Sequence, residues 1–539
     1  MFSRRSCLIG VVVLWLALPV RSFAADSTAK RTAKSDDRVA HDVQALATRI
    51  DQLIEAGWKA VRPAAPADDA EFLRRAYLDL AGRIPRVAEV HEFLDDKLPK
   101  KRERLIERLL KSPHYINHFT NVWRAQMLPQ ANNQQFQFLA TGFETWLRQR
   151  LRENVPYDEL VREILTAPVA ANRQPRPGYN PSDVTPIAFY QANEMKAENL
   201  AASTSRLFLG VKLECAQCHN HPFARWSRQQ FWEYAAFFAG VRPIAPDNPF
   251  RAAREKADER EIKIAGTDKT VKARFLDESE PKWDDEISTR TTLAKWLTTA
   301  QNPFFARAAA NRMWAHFFGI GLVEPADDLA DDNPPSHPEL LDELARQFAA
   351  HDFDFKFLIR AITASKAYQL SSAITEPSQL EPRAFARMPV KGLTAEQLFD
   401  SLALATGYRE QASPNQRFGF NANDPRTVFQ ARFASQDKRT ETQTSILQAL
   451  ALMNGKFIAD ATSLDRSETL LAVVEAPFLT TAERIEALYL ATLTRKPRPD
   501  EAARLVKYVE SGGPKKNPKA ALADVFWAVL NSSEFILNH

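Results

Sequence analysis

CAQCHNHPF, residues 215–223, places two cysteines three apart, a histidine directly after the second, and another histidine two residues on. Thiolates and imidazoles are the side chains that hold haem and soft metal ions. Cys-x-x-Cys-His supplies two thiols to add across the vinyl groups of a haem and one nitrogen to bind its iron, all from a single turn. In that reading Cys215 and Cys218 form the thioethers of a haem c and His219 is the proximal ligand. The same residues admit two other readings. Cys215, Cys218 and one or both of His219 and His221 offer a zinc ion up to four ligands. Adjacent ligands such as Cys218 and His219 strain a tetrahedral site, and the usual second pair further along is missing. A plain disulfide is the third reading, because an isolated cysteine pair in an oxidising compartment closes unless a ligand claims it.

A sixth haem ligand has to come from elsewhere. His221 is too near His219 to reach the opposite face, which leaves Met195, Met313 and His316, with His316 favoured. Asn311, Arg312, Trp314 and His316 form the densest polar and aromatic cluster outside the cysteine turn. A buried-looking helix carrying such residues must give each a partner, so it is expected to wall the haem or metal. Phe223, Trp226, Phe231, Trp232, Phe237 and Phe238 are permissive for a haem pocket and equally suited to ordinary core. The acidic stretches at Glu324–Asp328 and Asp331–Asn333 lack the spacing and glycine of an EF-hand and read as solvated or capping loops. No G-x-S-x-G elbow, phosphate-cradling glycine loop or H-E-x-x-H helix is present. A hydrolase therefore has little support, no residue is assigned a catalytic role, and enzyme activity is left open.

The elements that must position this turn read as mainly α. The chain has 539 residues, 45% of them hydrophobic, with only 16 glycines against 33 prolines, which favours helices punctuated by rigid turns. Val39, Val43, Leu46, Ile50, Leu53, Ile54 and Trp58 recur at helical spacing, and a second helix presents Phe72, Leu73, Ala76, Tyr77 and Leu80 on one face. Further amphipathic runs span 100–111, 113–128, 136–153 and 157–166, followed by a proline-rich loop at 171–186 and a helix near 193–210 that leads into the cysteines. Between 241 and 286 the composition turns charged, and EIKIAGTDKTVKARFL alternates as a β-hairpin does. Helices resume at Thr289. Ser336-x-x-Glu339, Thr394-x-x-Gln397 and Thr480-x-x-Glu483 have capping-box spacing. The expectation is a two-domain, multi-helix protein with a small β-hairpin insert between the domains: 38–240 with the cysteine motif, a linker at 241–286, and 287–539.

The N-terminus reads as an export signal over residues 1–24, with Arg4 and Arg5 ahead of an apolar run and Ser22-Phe23-Ala24 at its end, followed by a flexible leader at 25–37. The mature chain is then expected to be periplasmic or at the cell surface, with no transmembrane span. Its formal net charge of +4 falls to +1 once Arg4, Arg5 and Arg21 leave, so the charge balance points to no nucleic-acid partner. Loss of Cys7 leaves Cys215 and Cys218 as the mature cysteines.

ECAQCHNHPFARWSRQQFWEYAAFFAGV, together with DDAEFLRRAYLDLAGRIP and VPYDELVREILTA, resembles the PSCyt domain of the secreted cytochrome-like proteins of planctomycetes. RTTLAKWLTTAQNPFFARAAANRMWAHFFGIGLVEPADDLADDNPPSHPELLDELA, with LTAEQLFDSLALATG, LQALALMNGKFI and FWAVLNSSEFILNH, is similar to its partner domain, PSD. The usual family form has aspartate where Asn220 stands. Many relatives carry a separate cytochrome c domain ahead of the two, and this chain is expected to lack it. The resemblance implies a cytochrome-like protein built from two domains of unknown function. It leaves two classes of function: an exported haem protein that moves electrons to a redox or surface partner, or a non-catalytic scaffold whose cysteine turn is a zinc site or disulfide staple.

Overall fold

The computed structural model describes residues 25–129, 138–169, 185–222, 224–244, 253–409, 425–433, 453 and 455–539. It is 59% helix and 4% strand, so the mainly α expectation holds. The hairpin forms where the alternation places it, Glu261–Lys263 pairing antiparallel with Thr270–Lys272 and Ile262 lying opposite Val271. Two further two-stranded ladders had no alternating signal. Val241–Pro243 pairs with Ala253–Glu255, and Lys391–Gly392 pairs with Leu537–Asn538. The second joins segments far apart in the chain, which no local pattern can announce.

The first helix runs Ala25–Glu55 and takes in residues 25–37, read from sequence as a flexible leader. ADSTAKRTAKSDD contains alanine, lysine and arginine but neither glycine nor proline, so nothing in it stops a helix that begins further on. The proposed signal lies outside the described residues, as do 171–184 of the proline-rich loop and Phe223. Thr394 and Thr480 close the capping boxes expected of them, accepting from the backbone of Gln397 and Glu483. Ser336 does not. The helix Pro338–Ala350 starts one residue later than that spacing implies, with His337 at the cap position and Pro338 in the first turn, where a missing N–H costs nothing. Ser227 with Gln230 forms a box at the start of Arg228–Ala235 instead.

One hydrophobic core takes members from Leu46 to Leu490, several of them between 241 and 286, so both halves of the chain bury side chains in it. A second core gathers Phe399, Ile485, Leu522 and Phe526 near the C-terminal end. The helix Asp69–Ala81 serves both, giving Phe72, Leu73 and Tyr77 to the first and Leu78 to the second. It is therefore buried all round from Phe72 to Ala81, and not on the single face its periodicity suggests. Gly82 ends it with φ +68, a left-handed conformation glycine takes freely, and a Cβ there would lie 2.5 Å from His118 Nδ1.

Candidate functional site

The cysteine turn is built from the inside outwards. A helix Ala197–Thr204 continues as a wider π turn over Ser205–Leu209 and stops at Gly210, whose φ is +66. Leu213 and Ala216 are fully buried, and between and beyond them the chain makes one short 3-10 turn, Glu214–Gln217. The indole N–H of buried Trp232 donates to the Gln217 carbonyl at 3.0 Å, fastening the turn to the helix Arg228–Ala235. Cys215, Cys218 and His219 lie on the outer side and are exposed, and both cysteines are free thiols.

The acidic loop that follows the helix Phe305–Phe318 braces the approach to the turn. Lys212 faces Asp327 and Asp328 at 3.4 and 3.8 Å, Arg225 faces Asp331 at 3.7 Å, and Leu329 N–H donates to the Gly210 carbonyl at 2.7 Å. Asn333 closes the loop on itself by donating to the carbonyls of Glu324 and Asp328. These carboxylates thus hold the loop and its basic neighbours, as the solvated-loop reading expects.

The two histidines of the turn are set as opposite tautomers. His219 Nδ1 lies 2.7 Å from the Asn220 carbonyl, an acceptor only, so Nδ1 donates and, in the neutral ring, Nε2 is the nitrogen left with a lone pair. His221 Nδ1 accepts from Ala224 N–H at 2.8 Å, which puts the neutral ring's proton on Nε2. Nε2 of a neutral His219 could therefore hold an iron or another metal ion, while His221 serves the turn that returns the chain to Trp226. Two thiols and this imidazole are the donor set a covalent haem needs, and their exposure leaves them accessible to it. Among the described residues no three His, Cys, Asp or Glu side chains converge as a metal site.

His316 is engaged elsewhere. Its Nε2 is 2.9 Å from the Asp79 carbonyl, and its ring packs against His118 and Phe119 with centroids 5.7 and 5.2 Å apart. The rest of its helix is nearer the turn. Arg312 donates to the carbonyls of Arg206 and Leu207 in the π turn, and burial lowers its pKa. Asn311 exchanges hydrogen bonds with Val323 and also reaches Ala326, while Trp314 stacks on Phe318. Met195 is buried. Of the aromatic set, Phe231 packs on Trp232, Phe237 stacks on Phe275 and Trp226 faces Phe304, so these rings are occupied with core contacts.

Residues 49–243 match PSCyt2, a protein family of unknown function (DUF1549), and residues 289–428 and 419–509 match PSD1, likewise of unknown function (DUF1553). The chain is a PSCyt2–PSD1 tandem. No curated protein and no solved structure matches it. No helix among the described residues is long and apolar enough to cross a membrane.

The tandem is tied together by a polar junction that sequence reasoning missed. Asp79, in the PSCyt2 segment, pairs with Lys391, in the PSD1 segment, at 2.8 Å, and both side chains are wholly buried. Asp79 also accepts from Asn538 at 2.7 Å and from the Tyr368 hydroxyl at 3.0 Å, and Lys391 donates to the Phe317 carbonyl. On the same helix Arg74 donates to the carbonyls of Thr492 and Phe535, and Arg75 to that of Tyr368 and to Glu71. Burial lowers the Arg74 pKa to about 10, still far above neutrality. The sequence carries the signal for this junction in Arg74-Arg75-x-x-x-Asp79 inside an apolar helix, charges that burial obliges to find partners.

Proposed function

We propose that the tandem is an exported cytochrome-like protein that carries a covalent haem c on Cys215 and Cys218, with His219 as the iron's axial ligand. The observation that carries this reading is the His219–Asn220 hydrogen bond beside two exposed thiols, which turns the ligand nitrogen of His219 away from its own backbone. The bound haem would supply one-electron redox chemistry. The chain's own contribution is to hold the two thiols on one short turn, to orient His219 through Nδ1, and to keep the base of the turn fixed through Ala216 and Trp232. Electrons would pass to a redox partner at the exposed face. His316, bonded to the Asp79 carbonyl, is not included in this ligand set.

The test is expression with a cytochrome c maturation system, followed by haem staining after denaturing electrophoresis. The wild type stains. Cys215→Ala/Cys218→Ala does not stain, and His219→Ala retains bound haem while its Soret and α bands change, because attachment and axial ligation use different atoms. A wild type that emerges colourless from a host maturing other c-type cytochromes overturns the reading. It leaves the same turn as a disulfide or zinc staple in an exported scaffold protein.

A further inference from the structure

A cleft of about 730 Å³ opens where the helices Pro113–Met127 and Ala395–Thr406 meet the end of Asp69–Ala81. That volume suits a small molecule. The cleft's described lining is predominantly charged or amide-bearing. One wall is a helical stripe of His114, Asn117, His118 and Asn121, which recur at three- and four-residue steps and so share a face. Opposite stand Glu396 and Asp400, also one turn apart.

Among the described residues lining the cleft, arginines outnumber carboxylates. Five arginines line it, at 83, 86, 148, 409 and 426, against three carboxylates, at 396, 400 and 468. Arg426 is committed to Asp400 at 2.6 Å, Arg409 to Glu468 at 3.1 Å, and Arg83 to Glu89 through two bonds of 3.0 Å. Glu396 is met by Arg124 from behind the wall at 3.2 Å. Arg86 makes no ion pair among the described residues, and Arg148 has only a long approach of 3.9 Å to Glu144 while its Nε donates to Asn117. Among the described residues, Arg86 thus has no carboxylate partner and Arg148 only a distant one. Beside them are amides and acids suited to hydroxyl groups.

We propose that this cleft binds a small hydroxy acid, its carboxylate held by Arg86 and Arg148 and its hydroxyls by Asn117, Asn121 and Glu396. An arginine pair supplies planar, charge-assisted donors for a carboxylate. The amides donate and accept, and Glu396 accepts, which a polyhydroxy chain or ring can satisfy and a bare anion cannot. His114 reports on occupancy. Its pKa is lowered by burial and then by Arg83 and Arg86, against an opposing pull from Glu89, so a carboxylate placed beside Arg86 shifts it upwards. This site is separate from the cysteine turn and does not depend on haem.

The experiment is titration calorimetry of the full chain with gluconate and glucuronate, with glucose, acetate and inorganic phosphate as controls. Saturable binding of at least one of the two hydroxy acids is expected, with one site per chain. Arg86→Gln/Arg148→Gln, at one exposed and one half-buried position, is expected to weaken it by about tenfold or more at an unchanged melting temperature. The His114 ring resonances, followed by NMR, are expected to titrate at higher pH in the complex. Absence of binding by both acids overturns the proposal, as does equal affinity in the double variant. Acetate or phosphate binding as tightly as the hydroxy acids also overturns it, since the hydroxyl contacts would then contribute nothing.

Discussion

The Asp79 junction and the cysteine turn both concentrate polar, chemically capable side chains, in opposite surroundings. At the junction Asp79 and Lys391 are wholly buried and each is met by several partners, so no lone pair or proton is left pointing at solvent for a substrate to use. At the turn the scaffold atoms are buried, Leu213 and Ala216, while the thiols and His219 face outwards. Desolvated charge tolerates no missing partner, whereas exposed donors can wait for one. The difference marks the junction as what holds the tandem in one piece and the turn as the place where a ligand can arrive.

Four measurements break or sharpen this contrast. Lys391→Met should remove about 3–5 kcal/mol of unfolding free energy in denaturant, because it strands a buried carboxylate, and Asp79→Leu/Lys391→Met should recover part of that loss. A loss under about 1 kcal/mol for the single variant would show that the junction is not sealed from water. Gly82→Ala, at the edge of the same region, combines a left-handed backbone with a Cβ that meets the His118 ring, and should cost roughly 2–4 kcal/mol.

The third is a pH effect at the rim of the junction. Burial and the positive charge of Arg74 lower the His539 pKa from 6.5 to about 4. The folded pKa lies below the unfolded one, so this contribution is complete above about pH 6.5. It falls away as the pH drops towards 4, because the unfolded chain takes up a proton that the folded chain refuses. The loss should reach up to about 3 kcal/mol. His539→Gln should lack that part of the slope when urea midpoints are compared across pH, and parallel curves would refute it. The smallest effect belongs to the turn. Cys215→Ala/Cys218→Ala should change the unfolding free energy of the haem-free protein by no more than about 0.5 kcal/mol, since both side chains are exposed. A loss of several kcal/mol would recast the cysteines as part of the fold.

Several local features were readable in the residues themselves. Helical spacing placed the helices Asp69–Ala81 and Pro113–Met127, alternation placed the Glu261–Lys272 hairpin, and two of three capping boxes formed as spelled. These follow from interactions between residues a few positions apart, which the chain encodes directly. The Cys215–His221 cluster was legible for the same reason, since its members are neighbours in sequence. Proximity in sequence could not say that His219 and His221 would be opposite tautomers, because that depends on how the turn folds back to Asn220 and Ala224. Nor could it say that His316 would face Asp79 or that Lys391 and Asn538 would meet Asp79 across 312 and 459 residues. Composition and periodicity determined which segments were helical and which residues were worth watching. The tertiary structure alone decided their partners, because a buried charge is satisfied by whatever the packing brings to it, however far away along the chain.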